Sequence, residues 1–214
     1  MKPELQVLHS LPRPTVVKML MPSPLGHALA GLATAWSADA VTRPSGLPLT
    51  TAASMGGPLA AWCVLLAAIP DADLLFHTHR SVTHSVTAVA LVTIVSAAVT
   101  GWVTRRPPWR IALTCGCAYA THLLLDWLAA DTYFPYGLQI LWPFSRTWFI
   151  SGLDLFPRTE RQHLLSARTI QINLTAMAWE TAILLPIVAV ILLVRIKALA
   201  GFASKVTGGH HPPQ

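Results

Sequence analysis

Four apolar runs, at roughly 51–69, 83–104, 109–130 and 174–196, constrain this chain more than any other feature. Each matches or exceeds the roughly 20 residues that a helix needs to cross a bilayer. A shorter run over about 25–41, rich in Ala and Gly, suits close packing inside a bundle of such helices. The expected fold class is therefore all-α: an integral membrane helical bundle of about five transmembrane helices, the first one short. A long connection separates the fourth helix from the fifth. It contains "FPYGLQILWPFSRTWFISGLDLF". That pattern predicts an interfacial loop with Trp142, Phe144, Trp148 and Phe149 at headgroup depth.

Composition agrees with a membrane protein and narrows the function. Hydrophobic residues make up 53% of the 214 and charged ones 11%. The formal charge of +6 is read as loop contacts with anionic headgroups. No basic recognition helix is present, so nucleic acid is not an expected partner. Cys63, Cys115 and Cys117 lie in apolar runs and read as packing residues rather than a disulfide framework. Residues 1–20 lack the apolar core of a secretory signal and read as a dispensable extension ahead of "MPSPLGHALAG". The expected membrane-embedded domain is 21–198. Residues 199–214, with His210 and His211, read as a disordered tail.

Against this apolar background, "IPDADLLFHTHRSVTHS" gathers two aspartates, three histidines and an arginine between the second and third runs. Asp71 and Asp73 follow the end of helix two. His79 lies in the loop and His84 opens helix three, with Thr83 or Ser85 as a cap. "HLLLD" places His122 and Asp126 at i, i+4 on one face of helix four. Crossing and returning brings these segments to one side of the membrane. His27, at the start of helix one, joins them if that helix also crosses. With four crossings it is stranded on the far side, unless helix one is re-entrant. Lys and Arg counts favour four crossings with the N-terminus inside, and ligand convergence favours five.

Each fragment alone has an ordinary structural use, as a helix cap, a packed His–Asp pair or a headgroup anchor. Together they supply seven candidate ligands: His27, Asp71, Asp73, His79, His84, His122 and Asp126. Mixed imidazole and carboxylate ligation suits a divalent transition metal, zinc first and manganese or iron next. Seven groups exceed one tetrahedral shell and predict one or two ions per chain, a pair lying roughly 3.5–4 Å apart.

The ordered motifs "SPLGHALAG", "PDADLLFHTHRSVTHS", "HLLLD" and "GLQILWPFS" resemble the YdjM family of inner-membrane metal-dependent hydrolases, over roughly 21–195. The resemblance implies a multi-pass bundle with a metal site in a bacterial inner membrane. By it, His27, Asp71, Asp73, His79, Arg80, His84, His122 and Asp126 match the family's polar positions. Thr83, Ser85, Pro143 and Ser145 match supporting positions, and Asp154 matches a later acidic one. The turn after "HLLLD" departs from the family pattern as "WLAADTYFPYG", where Asp131 is expected to support the site and Thr132 has no assigned role.

The expected function is metal-dependent hydrolysis of an ester or phosphoester in a lipid-like substrate at the membrane face. Asp73 or Asp126 would accept a proton, and Arg80 would stabilise charge growing on substrate oxygens. Membrane lipid and that amphiphile are the expected partners. Two other functions fit the same residues. A divalent-metal transporter would need polar residues continuing across the membrane, and the far halves of the helices offer few. A regulatory or structural protein would use the metal to staple helices, in a closed shell.

Overall fold

The computed structural model describes residues 22–41, 57–76, 80–105, 108–132, 134–160 and 163–208. The described residues form helices and no named strand. The helices are α1 (Pro24–Val41), α2 (Pro58–Ala68), a 3-10 helix (Ile69–Phe76), α3 (Val86–Thr104), α4 (Trp109–Leu128) and α5 (Ala167–Gly208). The all-α class expected from sequence holds.

Among the described residues, α3, α4 and the 167–198 part of α5 are long and apolar enough to cross a membrane. α1 has 18 residues, about 27 Å at 1.5 Å per residue, just under a roughly 30 Å hydrocarbon core. α2 is shorter than its apolar run suggests. Its described part opens at Pro58, directly after Gly57, and its α-helical part ends after 11 residues. The start fits proline at the first helical turn. The end fits Pro70, whose nitrogen cannot donate to the α ladder, and the chain tightens into the 3-10 turns that carry Asp71 and Asp73. Residues 51–56 lie outside the described set. α5 runs on to Gly208, so 199–208, expected as tail, continue a helix instead. The local "ALAGFASK" is rich in helix formers.

α1 packs against α2, α4 and α5, and α4 packs against α2 and α3. Small residues make these approaches possible. A Cβ on Gly31 would lie 2.5 Å from the Cys63 carbonyl oxygen, so α1 and α2 meet backbone to backbone. Gly116 of α4 similarly receives Thr93 of α3. One apolar cluster joins Ala30, Leu125, Ala129, Phe156 and Leu184, and another joins Ala35, Ala60, Cys63 and Ala118. α3 has no buried residue and leaves Leu91, Ile94 and Trp102 exposed, as a lipid-facing helix would. Cys63 and Cys115 are buried and Cys117 is exposed, and all three are free thiols.

The connection after α4 folds back on the helix ends. Leu138 and Phe149 exchange a pair of 2.9 Å backbone bonds, and Ala130 N–H donates to the Phe156 carbonyl. Val86 N–H donates to the Ile140 carbonyl, tying this loop to the foot of α3. Of its aromatics, Phe144 is fully exposed, whereas Trp142, Trp148 and Phe149 are half-buried.

Candidate metal centre

Four helix ends meet at one point. The start of α1 carries His27, the 3-10 helix carries Asp71 and Asp73, the turn before α3 carries His84, and the last two turns of α4 carry His122 and Asp126. His27, His84 and His122 are fully buried, and Asp73 and Asp126 nearly so. Ser85 caps α3, its hydroxyl accepting from Ala88 N–H at 3.1 Å, and this fixes the turn in which His84 sits. The Tyr119 hydroxyl of α4 holds the same turn by donating to the Thr83 carbonyl at 2.7 Å.

One atom from each of Asp71, His84, His122 and Asp126 falls within 4.8 Å of all the others. The Nε2 atoms of His84 and His122 are 3.0 Å apart. Asp126 Oδ2 lies 3.3 Å from the first and 3.4 Å from the second. Asp71 Oδ1 lies 3.4 Å from His122 Nε2 and 3.9 Å from His84 Nε2.

Both rings are oriented from behind. His122 Nδ1 faces the Ala67 carbonyl at 2.8 Å, so it carries the proton and leaves the Nε2 lone pair for the centre. That carbonyl belongs to the last turn of α2, where the α ladder ends and carbonyls need outside donors. His84 Nδ1 faces Asp73 Oδ2 at 3.1 Å, with the same consequence for its Nε2. Burial alone would lower the His84 pKa, but the nearby Asp126 and Asp73 carboxylates outweigh it and raise it. For Asp71, burial pushes the pKa up, and the contact with His122 outweighs it and lowers it.

These groups fit a divalent cation. Two imidazole nitrogens and two carboxylates offer the mixed donor set that such ions take. Both oxygens of Asp126 and both ring nitrogens of His27 are buried without a hydrogen-bond partner among the described residues. Buried polar atoms normally find partners, and a cation would supply what this cluster lacks. His27 stacks on His122, with ring centroids 3.9 Å apart, and its Nε2 is 3.5 Å from Asp126 Oδ1. Asp126 thus turns one oxygen to the four-residue group and the other to His27.

Across residues 21–202 the sequence matches the family model described as YdjM inner membrane protein. The chain belongs to that family. No curated protein and no solved structure matches it. The match covers every residue of the cluster, so the centre lies wholly within the YdjM-family portion of the chain.

The seven ligands expected from sequence are arranged unequally in this YdjM-family protein. Asp71, His84, His122 and Asp126 converge, and His27 adjoins them through Asp126. Asp73 meets the opposite nitrogen of His84 and also accepts from the Thr83 hydroxyl at 2.5 Å. It is therefore placed to orient His84. His77 and His79 lie outside the described residues. Arg80, in the left-handed region at φ 64°, pairs with Asp131, and Asp131 also accepts from Gly137 N–H at 2.7 Å. Asp131, expected to support the site, thus clamps the unusual turn to the loop before α3. Asp154 is exposed and takes no part in the cluster.

One residue was not foreseen. Glu180, fully buried in the middle of α5, accepts from Ser23 N–H at 2.8 Å and from the Ser23 hydroxyl. Its carboxylate sits at the N-terminus of α1, which a negative charge stabilises, and it presses against Gly26 beside His27. The available signal was a lone acidic residue inside an apolar run.

Two measurements follow. Asp73→Asn is expected to weaken zinc binding about 10–100-fold without abolishing it, as loss of an orienting partner does, read by competition titration against a chelator. Glu180→Ala leaves Ser23 N–H buried without its acceptor and is expected to cost about 1–3 kcal/mol of stability. Glu180→Gln keeps an acceptor oxygen and should recover most of that loss in thermal melts.

Proposed function

We propose that this chain is a membrane-bound, metal-dependent hydrolase acting on an ester or phosphoester of a lipid-like substrate at the membrane face. The observation that carries this reading is the position of Asp71. It belongs to the four-residue cluster and also lines a cavity of about 370 Å³, with Ser23, Thr159, Glu160 and Asn173. A helix-stapling metal has a closed shell, whereas a catalytic one keeps a side open to substrate. A centre with one wall on a cavity favours the second.

In this reading His84 and His122 would hold the ion through Nε2, with Asp71 and Asp126 completing the set. A bound divalent ion would supply Lewis acidity and bring a water's pKa towards neutrality. Of the two carboxylates expected to accept a proton, Asp126 remains, since Asp73 is committed to His84 and Thr83. His27, against Asp126 Oδ1, is placed to steady that carboxylate as it takes up a proton. Arg80 is engaged by Asp131, so its part is to hold the loop beside the site rather than to meet substrate charge. The aromatic loop and the membrane setting favour an amphiphile over a soluble sugar.

The test is direct. The purified protein in lipid nanodiscs, loaded with zinc or manganese, should release headgroup or fatty acid from ester and phosphoester amphiphiles, and chelation should stop it. Metal content of one or two per chain with no hydrolysis of any amphiphile tested would reject the catalytic reading.

We further propose five crossings, a reading that the contact of His27, at the start of α1, with Asp126, near the end of α4, supports. The two termini then lie on opposite sides. Reporter fusions at Met1 and Gln214, one active only in the cytoplasm and one only outside it, check this. Termini on one side would exclude five crossings.

A further inference from the structure

The cavity beside the metal centre shares a lining residue with the exposed face of α5. Met177, on α5, lines it and also lines a second, larger hollow of about 600 Å³ along the same helix. That hollow runs past Leu174, Ala178, Thr181, Ala182, Leu185 and Pro186. It is an open, mainly apolar groove on the exposed face of α5, shallow where the two alanines lie. Pro186, inside the helix, lacks the N–H that would complete the ladder there, which favours a bend.

The two spaces differ in chemistry. The first has Ser23, Asp71, Thr159, Glu160 and Asn173 in its walls. Its outer side is pinned, because Glu160 N–H donates to Asn173 Oδ1 at 2.6 Å and Asn173 Nδ2 returns a bond to the Glu160 carbonyl at 2.8 Å. The second lies wholly within the 167–198 stretch that is apolar enough to cross a membrane. From Leu174 to Pro186 is about 18 Å along the helix, close to half of a roughly 30 Å hydrocarbon core. One leaflet is that deep.

The geometry points to a single amphiphile track: a polar head in the cavity beside Asp71 and one acyl chain lying along α5 from Met177 to Pro186. This deepens the hydrolase reading, and rests on it, by giving the substrate class a defined seat. The bond to be broken would lie where head and chain join, at the Asp71 end. The occupant is a membrane lipid of the leaflet facing the centre. A water-soluble ester would fill only the polar half.

The experiment uses the full chain, metal-loaded, in nanodiscs doped with a phospholipid bearing a diazirine midway along one acyl chain. After illumination, labelled residues are mapped by peptide mass spectrometry. Labelling is expected to be several-fold richer over 174–186 than over the exposed face of α3 at Leu91 and Ile94, which reports ordinary surrounding lipid. Ala182→Trp fills the groove from an exposed position, and retained metal content verifies its fold. It should remove that enrichment, and slow turnover of long-chain amphiphiles while sparing a short-chain ester. Equal labelling of α5 and α3, or enrichment untouched by Ala182→Trp, overturns the track even if the lipid is hydrolysed. Enrichment that Ala182→Trp removes, without hydrolysis of that lipid, keeps the track and rejects the catalytic reading.

Discussion

Asp126→Ala should leave a protein that still inserts but no longer retains metal. Asp126 is the carboxylate that touches all three imidazoles, through Oδ2 to His84 and His122 and through Oδ1 to His27. Removing it deletes one ligand and also the group that holds the other rings in register. The loss should exceed the about 10–100-fold that an orienting residue costs. It should also exceed that of Asp73→Asn measured side by side. Plasma mass spectrometry after gel filtration reads the stoichiometry. Equal losses in the two variants would mean that Asp73 and Asp126 serve the metal alike, against the separate roles assigned here. Retention of full metal by Asp126→Ala would remove the centre assigned here. Asn at 126 keeps the volume and one acceptor oxygen, so Asp126→Asn separates loss of charge from loss of packing.

The largest effect on stability is expected from Gly31→Val. Even a methyl group at position 31 meets the Cys63 carbonyl oxygen at 2.5 Å and the Ala67 side chain at 2.8 Å. The first of these is backbone and cannot swing aside. α1 and α2 must separate, and overpacking of this kind costs about 1–3 kcal/mol or more. The consequence reaches the metal. α1 carries His27, and the end of α2 carries the carbonyl that orients His122, so widening this seam moves two supports of the centre together. Thermal melts in detergent should show the loss, with metal affinity falling alongside. Gly152, exposed and with open space around it, is the comparison that should tolerate alanine far better, apart from the strain of its φ of 70°.

What could be read from sequence follows how local each relation is. His122 and Asp126 are four residues apart on a helix, and helical spacing alone places them on one face. Pairing them with Asp71 and His84 required only that helices two to four cross and return. Gly26 and Gly31 were also legible as points of close approach, because small residues let membrane helices touch. The relations missed were long-range or directional. Nothing in "PDAD" says that Asp71 faces the centre while Asp73 reaches the rear of His84, since that depends on 3-10 turns after Pro70. Arg80 was expected to meet substrate charge, and its pairing with Asp131, 51 residues away in a turn without a recognisable pattern, had no sequence signal. Glu180 pairs with a serine 157 residues distant, and a single acidic residue in an apolar run has no motif to betray its partner.

The orientation of His122 has an unusual source for so central a group. Its rear nitrogen answers to a main-chain oxygen, that of Ala67, and every amino acid at position 67 presents the same oxygen. Point substitution at 67 therefore cannot retune this imidazole the way Asp73→Asn can retune its neighbour. Only a change in length can. One residue inserted into α2 turns everything beyond it by about 100° around the helix axis and points a different carbonyl at the ring. Substitutions in α2 thus reach this imidazole only through packing, whereas insertions should redirect it outright, and the distance from Pro58 to Asp71 becomes a functional measurement in its own right.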